Sequence, residues 1–181
     1  MNFNTERLNM IITGKIPPSD ANWIENSFIN TSVPFIWVDN VLGDIATYRP
    51  GAMHTIFDKY EDKPSPLFEH INPIFQNIFK KHSLNFDKYL RIRYFHQPDV
   101  KVEESYKNDP LHTDLGEENL SLVYYLNEAG GGTAIFAEDI HYNILHKQGN
   151  YVIFDGLLPH AGILSQNNTT RSVINVNFVV K

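Results

Sequence analysis

Apolar residues recur at helical spacing towards the end of the first half of the chain. The segment begins at Ser65, with Pro66 in the first turn. Its apolar positions lie three or four residues apart and form one broad face, made of Leu67, Phe68, Ile71, Ile74, Phe75, Ile78 and Phe79. Pro73 lies inside this pattern, so we expect a kink there or a second helix that restarts with Asn72 as its cap.

Two further elements are predicted nearer the beginning of the chain. Ser19 or Asp20 is a suitable cap for a short helix, whose apolar positions are Trp23, Ile24 and Phe28. Residues 34–40 are rich in β-branched and aromatic side chains and predict a strand.

The second half of the chain changes from helical to strand periodicity. Short segments rich in β-branched and aromatic residues alternate with turn-forming stretches; these segments are 88–95, 120–126, 133–137, 150–155 and 171–180. The pattern predicts an all-β core of roughly eight strands, either a barrel or a double-sheet jelly roll. The polar segment between Phe95 and Leu111 has a length typical of a lid or a disordered connection.

Composition narrows the possible functions. The 181 residues suit a single domain, in which about 1–87 supply supporting helices and edge strands and about 88–181 the β core. The net charge is −6, which disfavours a nucleic-acid partner. Cysteine is absent, which excludes disulfides and cysteine-ligated metals. No apolar run approaches the length of a membrane span, and the first residues lack the order of a secretion signal, so we expect a cytoplasmic protein.

Three residues form a candidate metal site. His112 and Asp114 are two positions apart, so on an extended strand their side chains would point to the same side. His160 is the best candidate for a third ligand. Two imidazoles and one carboxylate form a facial triad, which leaves coordination positions open for oxygen and substrate. The six other histidines have no partner at useful spacing and are interpreted as surface or structural residues: His54, His70, His82, His96, His141 and His146.

Arg171 is the candidate anion-binding residue. If 157–163 and 171–180 pair as a hairpin, Arg171 lies on the order of 10 Å from His160. A guanidinium binds a carboxylate through two hydrogen bonds, so a metal at one end and Arg171 at the other would suit a short dicarboxylate. In the last strand, Arg171, Val173, Asn175 and Asn177 share one face, which predicts a polar pocket.

These motifs resemble a known family. The order of HTD (112–114), YYLN (124–127), GGGTAIF (130–136), GNYVIFDG (149–156), PHAG (159–162) and RSVINVNF (171–178) is similar to that in 2-oxoglutarate/Fe(II)-dependent oxygenases. The resemblance is greatest to the prolyl-4-hydroxylase-like branch and its small bacterial and phage members. It covers about residues 88–180, whereas the N-terminal half resembles the supporting helices of the family only loosely.

The resemblance implies a fold, a set of cofactors and roles for individual residues. The fold would be a double-stranded β-helix, the jelly roll also found in cupins. His112, Asp114 and His160 would hold Fe(II), and the metal would bind 2-oxoglutarate and O₂. Arg171 would bind the far carboxylate of 2-oxoglutarate, and the further cosubstrate-binding candidates are Tyr125, Tyr94 and Asn175. The family members of the collagen type carry Lys where this chain has Arg171, and the positions of Asn175 and Asn177 vary between subfamilies.

Three classes of function remain open on the sequence. The first is a dioxygenase that hydroxylates a C–H bond of a peptide or protein side chain, prolyl residues first, or of a small molecule. The second is a nucleic-acid oxygenase or demethylase, which would require a basic groove and stacking aromatic residues. The third is a non-catalytic jelly-roll binding protein in which the metal only organises a ligand. The prime substrate is not identified by the sequence.

Overall fold

The computed structural model describes residues 10–29, 33–39, 50–98, 110–137, 140–164 and 169–181. Two helices lie in these ranges, α1 (Pro18–Ile29) and α2 (Leu67–Lys81). The strands are β1 (Ile11–Lys15), β2 (Ile36–Val38), β3 (Gly51–Asp58), β4 (Phe86–Gln97), β5 (Leu120–Tyr125), β6 (Gly132–Ala137), β7 (Ile140–Leu145), β8 (Asn150–Asp155), β9 (His160–Ile163) and β10 (Arg171–Val180).

The strands form two antiparallel sheets. The large sheet has the order β1-β8-β5-β10-β4-β3-β2, and the small sheet has the order β7-β6-β9. Residues of both sheets pack in one apolar cluster, which includes Val123, Val152 and Val173 of the large sheet and Ile135 of the small sheet. This arrangement confirms the predicted mainly-β jelly roll with supporting helices.

The large sheet has two buried faces of different character. One face packs against the helices, where Phe79 of α2 stacks on Phe178 of β10 with ring centroids 4.3 Å apart. The other face lies against the small sheet. Strand β10 shows the alternation directly, because Ile174, Val176 and Phe178 belong to the helix-side cluster whereas Val173 belongs to the cluster between the sheets. The predicted division of this strand into two faces is therefore confirmed.

Helix α2 continues across Pro73, so the predicted restart at Asn72 is wrong. Pro73 is exposed, whereas Ile71 and Phe75 on either side of it are buried and anchor both halves of the helix to the core. Asn72 does not cap a helix. Its side-chain oxygen instead accepts a 2.9 Å hydrogen bond from the hydroxyl of Tyr89 on β4.

The predicted hairpin between 157–163 and 171–180 is also wrong. Strand β9 pairs with β6 in the small sheet, whereas β10 pairs with β5 and β4 in the large sheet. A jelly roll moves successive strands from one sheet to the other, and local sequence does not reveal that crossing. The described residues hold ten strands, of which β1, β2 and β3 lie in the first half of the chain; the positions of β1, β3 and β7 were not predicted.

Some predictions extend past the described residues. Within 34–40 the strand covers Ile36–Val38, and residue 40 lies outside the described residues. Most of the segment predicted as a lid, residues 99–109, also lies outside them. None of the helices in the described residues has the length and apolar character needed to cross a bilayer.

The stacking of α2 on the sheet generates a stability prediction. Phe79 is 1% exposed and stacks on both Phe178 and Phe86. We expect Phe79→Ala to lower the free energy of unfolding by about 3–5 kcal/mol, because it removes this contact and leaves a cavity. Leu145→Ala, at a position that is 64% exposed, should change it by less than about 0.5 kcal/mol. Urea unfolding followed by circular dichroism measures both, and equal effects would contradict the packing described here.

Candidate functional site

His112, Asp114 and His160 converge at one end of the space between the sheets. Their candidate ligand atoms all lie within 4.8 Å of one another. The two histidines are held by a backbone bridge, in which each amide donates to the carbonyl of the other residue at 3.0 and 2.9 Å. His112 and Asp114 do not lie on a continuous strand as predicted: His112 makes only this isolated bridge and Asp114 lies in a bend.

Each imidazole presents the same nitrogen to the site. Nδ1 of His112 lies 2.9 Å from the carbonyl oxygen of Pro110, and Nδ1 of His160 lies 2.9 Å from that of Leu158. A carbonyl oxygen only accepts hydrogen bonds, so Nδ1 carries the proton in both rings. The unprotonated Nε2 atoms are then available as metal ligands, and the backbone contacts set the orientation of the rings.

The carboxylate of Asp114 is held by three donors from the large sheet. Asn175 of β10 donates to Oδ1 at 2.8 Å. Ser121 of β5 and Asn177 of β10 donate to Oδ2 at 2.7 and 3.1 Å. The two asparagines lie two residues apart on the face of β10 that points between the sheets, so the strand itself sets the spacing of the donors. The carboxylate is therefore fixed in position before any ion binds.

Charge and burial act in opposite directions at this carboxylate. Burial by itself would raise the pKa of Asp114, but the nearby imidazole of His160 and the hydrogen bonds from Asn175 and Ser121 outweigh it and hold the pKa far below its usual range. Burial likewise opposes protonation of His160, yet Asp114 raises its pKa overall, with the two side chains 3.7 Å apart. Asp114 is thus a fixed negative charge in a buried place, with Nη2 of Arg91 3.8 Å from its Oδ1, and it is suited to binding a cation.

Arg171 lies at the other end of the same face of β10. It is 8% exposed, and its Nη1 donates a 2.7 Å hydrogen bond to Oε1 of Gln97 on β4. Its Nε is buried and has no hydrogen-bond partner among the described residues. A buried guanidinium with an unused donor is suited to an anionic ligand, since leaving such a donor unpaired is costly.

Hydroxyl groups accompany Arg171. Tyr125 of β5 is fully buried, and its hydroxyl donates a 2.8 Å hydrogen bond to Thr133 of β6. Burial raises the pKa of Tyr125 to about 12, against the opposing effects of Thr133 and Arg171, so the phenol stays protonated. Tyr125 therefore belongs to the group of polar residues around Arg171.

His146 also belongs to this end of the site, which the sequence did not indicate. Its ring is 1% exposed and lies 4.8 Å from the ring of Tyr125. Nε2 donates to the side-chain oxygen of Asn127 at 3.0 Å, whereas Nδ1 is buried without a hydrogen-bond partner among the described residues. Burial and the charge of Arg171 lower the pKa of His146 to about 3, so the ring is neutral.

Strand β10 connects the two ends of the site. Arg171 and Asn175 are four residues apart on one face, which places their Cα atoms roughly 13 Å apart. The apolar side chains of Val173, Val123 and Ile135 belong to the cluster between the sheets in this region. The site therefore has the potential metal ligands His112, Asp114 and His160 at one end, the guanidinium of Arg171 at the other and apolar side chains between them.

Of the other predicted cosubstrate residues, one lies outside the site and one lies at its metal end. Tyr94 is on the opposite face of β4, where it packs against Phe28 and Phe35, so the structure does not bring it to the site. The residue next to it on the chain, Phe95, is the one that packs in the cluster between the sheets. Asn175 reaches the site, but its amide contacts Asp114 rather than Arg171.

Sequence reasoning missed several residues that contact the site. Four such residues hydrogen-bond to predicted site residues: Ser121 to Asp114, Gln97 to Arg171, Thr133 to Tyr125 and Arg91 to the backbone oxygen of Asp114, the last at 3.3 Å. A signal was present for Ser121, which is four residues before Tyr125 and therefore on the same strand face. Gln97 and Arg91 could only be found once the pairing of β4 with β10 was known.

Comparisons with known proteins support the fold. A 2OG-Fe(II) oxygenase family protein from Burkholderia pseudomallei matches with a TM-score of 0.68 and 13% identity, over 92% of this chain and 84% of that one. A Pseudomonas putida prolyl-4-hydroxylase matches with a TM-score of 0.64 and 14% identity, over 94% and 92%. HygX from Streptomyces hygroscopicus, solved with nickel, 2-oxoglutarate and hygromycin B, matches with a TM-score of 0.62 and 9% identity, over 93% and 81%.

These likenesses establish the fold that the chain shares with the 2-oxoglutarate/Fe(II) oxygenases, prolyl-4-hydroxylases included, and they confirm the resemblance seen in the sequence at that level. No model of a protein family matches the chain, and a search of curated proteins by sequence found no match.

The neutral state of His146 generates a prediction on pH and stability. The unfolded chain takes up a proton on this histidine near pH 6.5, whereas the folded chain does so only near pH 3. Folding stability is therefore lost as the pH falls through this window, by about 2 kcal/mol between pH 7 and pH 5. In His146→Gln, the free energy of unfolding measured with urea should fall by about 2 kcal/mol less between pH 7 and pH 5 than it does in the unsubstituted protein. The same pH dependence in both proteins would contradict the buried neutral imidazole.

Proposed function

We propose that this protein is an Fe(II)- and 2-oxoglutarate-dependent dioxygenase that hydroxylates a C–H bond. The observation that carries the proposal is the arrangement along one face of β10. A carboxylate and two imidazoles meet at one end, and a buried guanidinium with an unused Nε donor lies at the other. A dicarboxylate suits this arrangement, because one end can coordinate a metal held by the cluster and the other end can bind the guanidinium of Arg171.

The residues present fit the implied groups. Two neutral imidazoles and one carboxylate suit Fe(II), and three protein ligands leave open positions, unlike a structural zinc site closed by four. Arg171 and the protonated Tyr125 fit the far carboxylate of 2-oxoglutarate. When bound, Fe(II) and 2-oxoglutarate supply the oxidising chemistry, in which O₂ is consumed, 2-oxoglutarate is converted to succinate and CO₂, and a substrate C–H becomes C–OH.

The chain's own residues supply binding, orientation and exclusion of water. Pro110 and Leu158 carbonyls hold the two imidazoles with Nε2 towards the site. Ser121, Asn175 and Asn177 hold the carboxylate. The apolar residues between the two ends exclude water, which strengthens the electrostatic attraction of Arg171 for an anion.

Two classes of prime substrate have support among the similar structures. A peptide or protein side chain, with prolyl hydroxylation first, is supported by the likeness to a prolyl-4-hydroxylase. A small molecule is supported by the likeness to HygX, which was solved with hygromycin B bound.

The first test asks whether the metal cluster supports turnover. We expect anaerobically reconstituted protein to form succinate from 2-oxoglutarate once O₂ is admitted, and only with Fe(II) present. Asp114→Ala should abolish this, because two imidazoles alone hold Fe(II) weakly. Asp87→Ala, which removes a carboxylate that pairs with Lys181 away from the site, is the matched control and should retain turnover. Succinate formation by Asp114→Ala would remove Asp114 from the ligand set.

The second test separates the two ends of the site. Arg171→Ala should raise the KM for 2-oxoglutarate at least about tenfold, since a hydrogen-bonded charged partner contributes about 1.5–3 kcal/mol. Fe(II) affinity, measured by anaerobic equilibrium dialysis, should change less than about twofold. Arg171→Lys keeps the charge but cannot donate two parallel hydrogen bonds to a carboxylate. Its KM for 2-oxoglutarate should therefore lie between those of the unsubstituted protein and Arg171→Ala. An equal loss of Fe(II) and 2-oxoglutarate affinity would mean that Arg171 has a structural role only.

A further inference from the structure

Two arginines lie directly beside the candidate metal site. Arg91 and Arg93 are two residues apart on β4, so both side chains are on the face that points between the sheets. In the register of the sheet, Arg91 is paired with Asn177 and Arg93 with Asn175, the two asparagines that hold Asp114. Nη2 of Arg91 lies 3.8 Å from Oδ1 of Asp114. The arginines are therefore one strand spacing from the two asparagines that support the carboxylate of the triad.

The two guanidinium groups use few of their donors. Each guanidinium has five N–H groups. Within the described residues, Arg91 makes one side-chain hydrogen bond, at 3.3 Å, to the backbone oxygen of Asp114. Arg93 makes none among the described residues; it has only a 3.9 Å ion pair with Asp58, and its Nε is buried without a partner. Their side chains are 18% and 30% exposed, so both remain accessible from solvent.

The neighbouring basic residue behaves differently. Lys59, which follows β3, forms a direct ion pair with Glu117 and so has its charge balanced within the chain. Lys181 at the end of the chain is likewise paired, with Asp87 at 3.4 Å. Arg91 and Arg93 thus differ from these lysines in the number of donors that the described part of the chain leaves unused.

The charges beside the metal site do not balance when the proposed cofactors are bound. Asp114 and the near carboxylate of 2-oxoglutarate would balance Fe(II), and Arg171 would balance the far carboxylate. Asp58 balances one of the two arginines. One positive charge then remains next to the metal, in a partly buried place where an unpaired charge is costly.

We propose that Arg91 and Arg93 bind an anionic group of the prime substrate, a carboxylate or a phosphate, and that the substrate of this enzyme is therefore an acid. The proposal rests on the proposed function, since it names the substrate class of the same site. A planar guanidinium binds either anion through paired, charge-assisted hydrogen bonds. Binding there would hold the anionic group beside the residues that support Asp114 and so bring the rest of the substrate towards the metal end of the site.

The test is a titration of two small anions. Acetate stands for a carboxylate and methyl phosphate for a phosphate, and each is titrated into protein saturated with Mn(II) and 2-oxoglutarate. Binding is followed calorimetrically and by the NMR signals of the arginine Nε–H groups. We expect one of the anions to bind, with acetamide inert, and we expect the Nε–H signal of Arg93 to shift. The anion that binds with the higher affinity indicates whether the substrate's acidic group is a carboxylate or a phosphate.

Variants assign the binding to the arginines. Arg93→Gln should weaken the anion at least about tenfold, because a charged hydrogen-bond partner is lost. Arg93→Lys, which keeps the charge, should weaken it less. Lys59→Gln removes the same charge at the neighbouring paired lysine and should change the affinity by less than about twofold. Absence of binding by both anions, or equal losses in Arg93→Gln and Lys59→Gln, would overturn the proposal.

The same titration in metal-free protein separates this proposal from the proposed function. The guanidinium groups are part of the chain, so their anion affinity should persist, although altered in strength, without Mn(II) and 2-oxoglutarate. Anion binding that depends on Arg93 in a protein that fails to bind 2-oxoglutarate would refute the dioxygenase and leave the anion site intact. Binding of 2-oxoglutarate without any anion binding would refute only the acidic substrate.

Discussion

The site is organised by the buried negative charge of Asp114. A carboxylate in this position can stay ionised only if the surrounding groups replace the water that it has lost. Three hydrogen-bond donors from β5 and β10 do so, and Nε2 of His160 lies 3.7 Å from the same carboxylate. Each of these groups is a side chain on the same sheet face or on the facing strand. The two facing sheets therefore hold one carboxylate close to two imidazoles.

Strand β10 sets the distance between the two ends of the site. Its inward positions carry Arg171, Val173, Asn175 and Asn177 in sequence, so one strand supplies the buried guanidinium, part of the apolar wall and two supports of the carboxylate. A strand changes its length very little, which keeps the guanidinium and the triad at a constant separation. The paired strand β4 repeats the pattern with Gln97, Phe95, Arg93 and Arg91 in register, and it extends the polar face beyond the triad.

Much of this arrangement was predictable because it depends on local periodicity. The two faces of β10, the helix 67–81 and the grouping of His112, Asp114 and His160 all follow from residue types and spacing, together with the family resemblance. The hairpin of 157–163 with 171–180 failed because strand pairing in a jelly roll is set by contacts between distant segments. Tyr94 was misplaced by one residue of register, which reverses the face of a strand.

The roles of His146 and of Arg91 and Arg93 needed the tertiary structure. His146 follows β7 and has no charged neighbour at a helical or strand spacing, yet the fold buries it against Tyr125 and within reach of Arg171. Nothing in the sequence around Arg91 and Arg93 distinguishes them from other basic residues. They become notable only because β4 is paired with β10 at the asparagines that support Asp114.

The central claim is that one face of β10 holds a metal at one end and a carboxylate at the other. A crystal structure of the protein grown anaerobically with Fe(II) and 2-oxoglutarate, with anomalous data at the iron edge, tests this claim most directly. The account predicts one anomalous peak within bonding distance of Nε2 of His112, a carboxylate oxygen of Asp114 and Nε2 of His160, and density for the diacid reaching the guanidinium of Arg171. A peak elsewhere, or a diacid that does not contact Arg171, would contradict it.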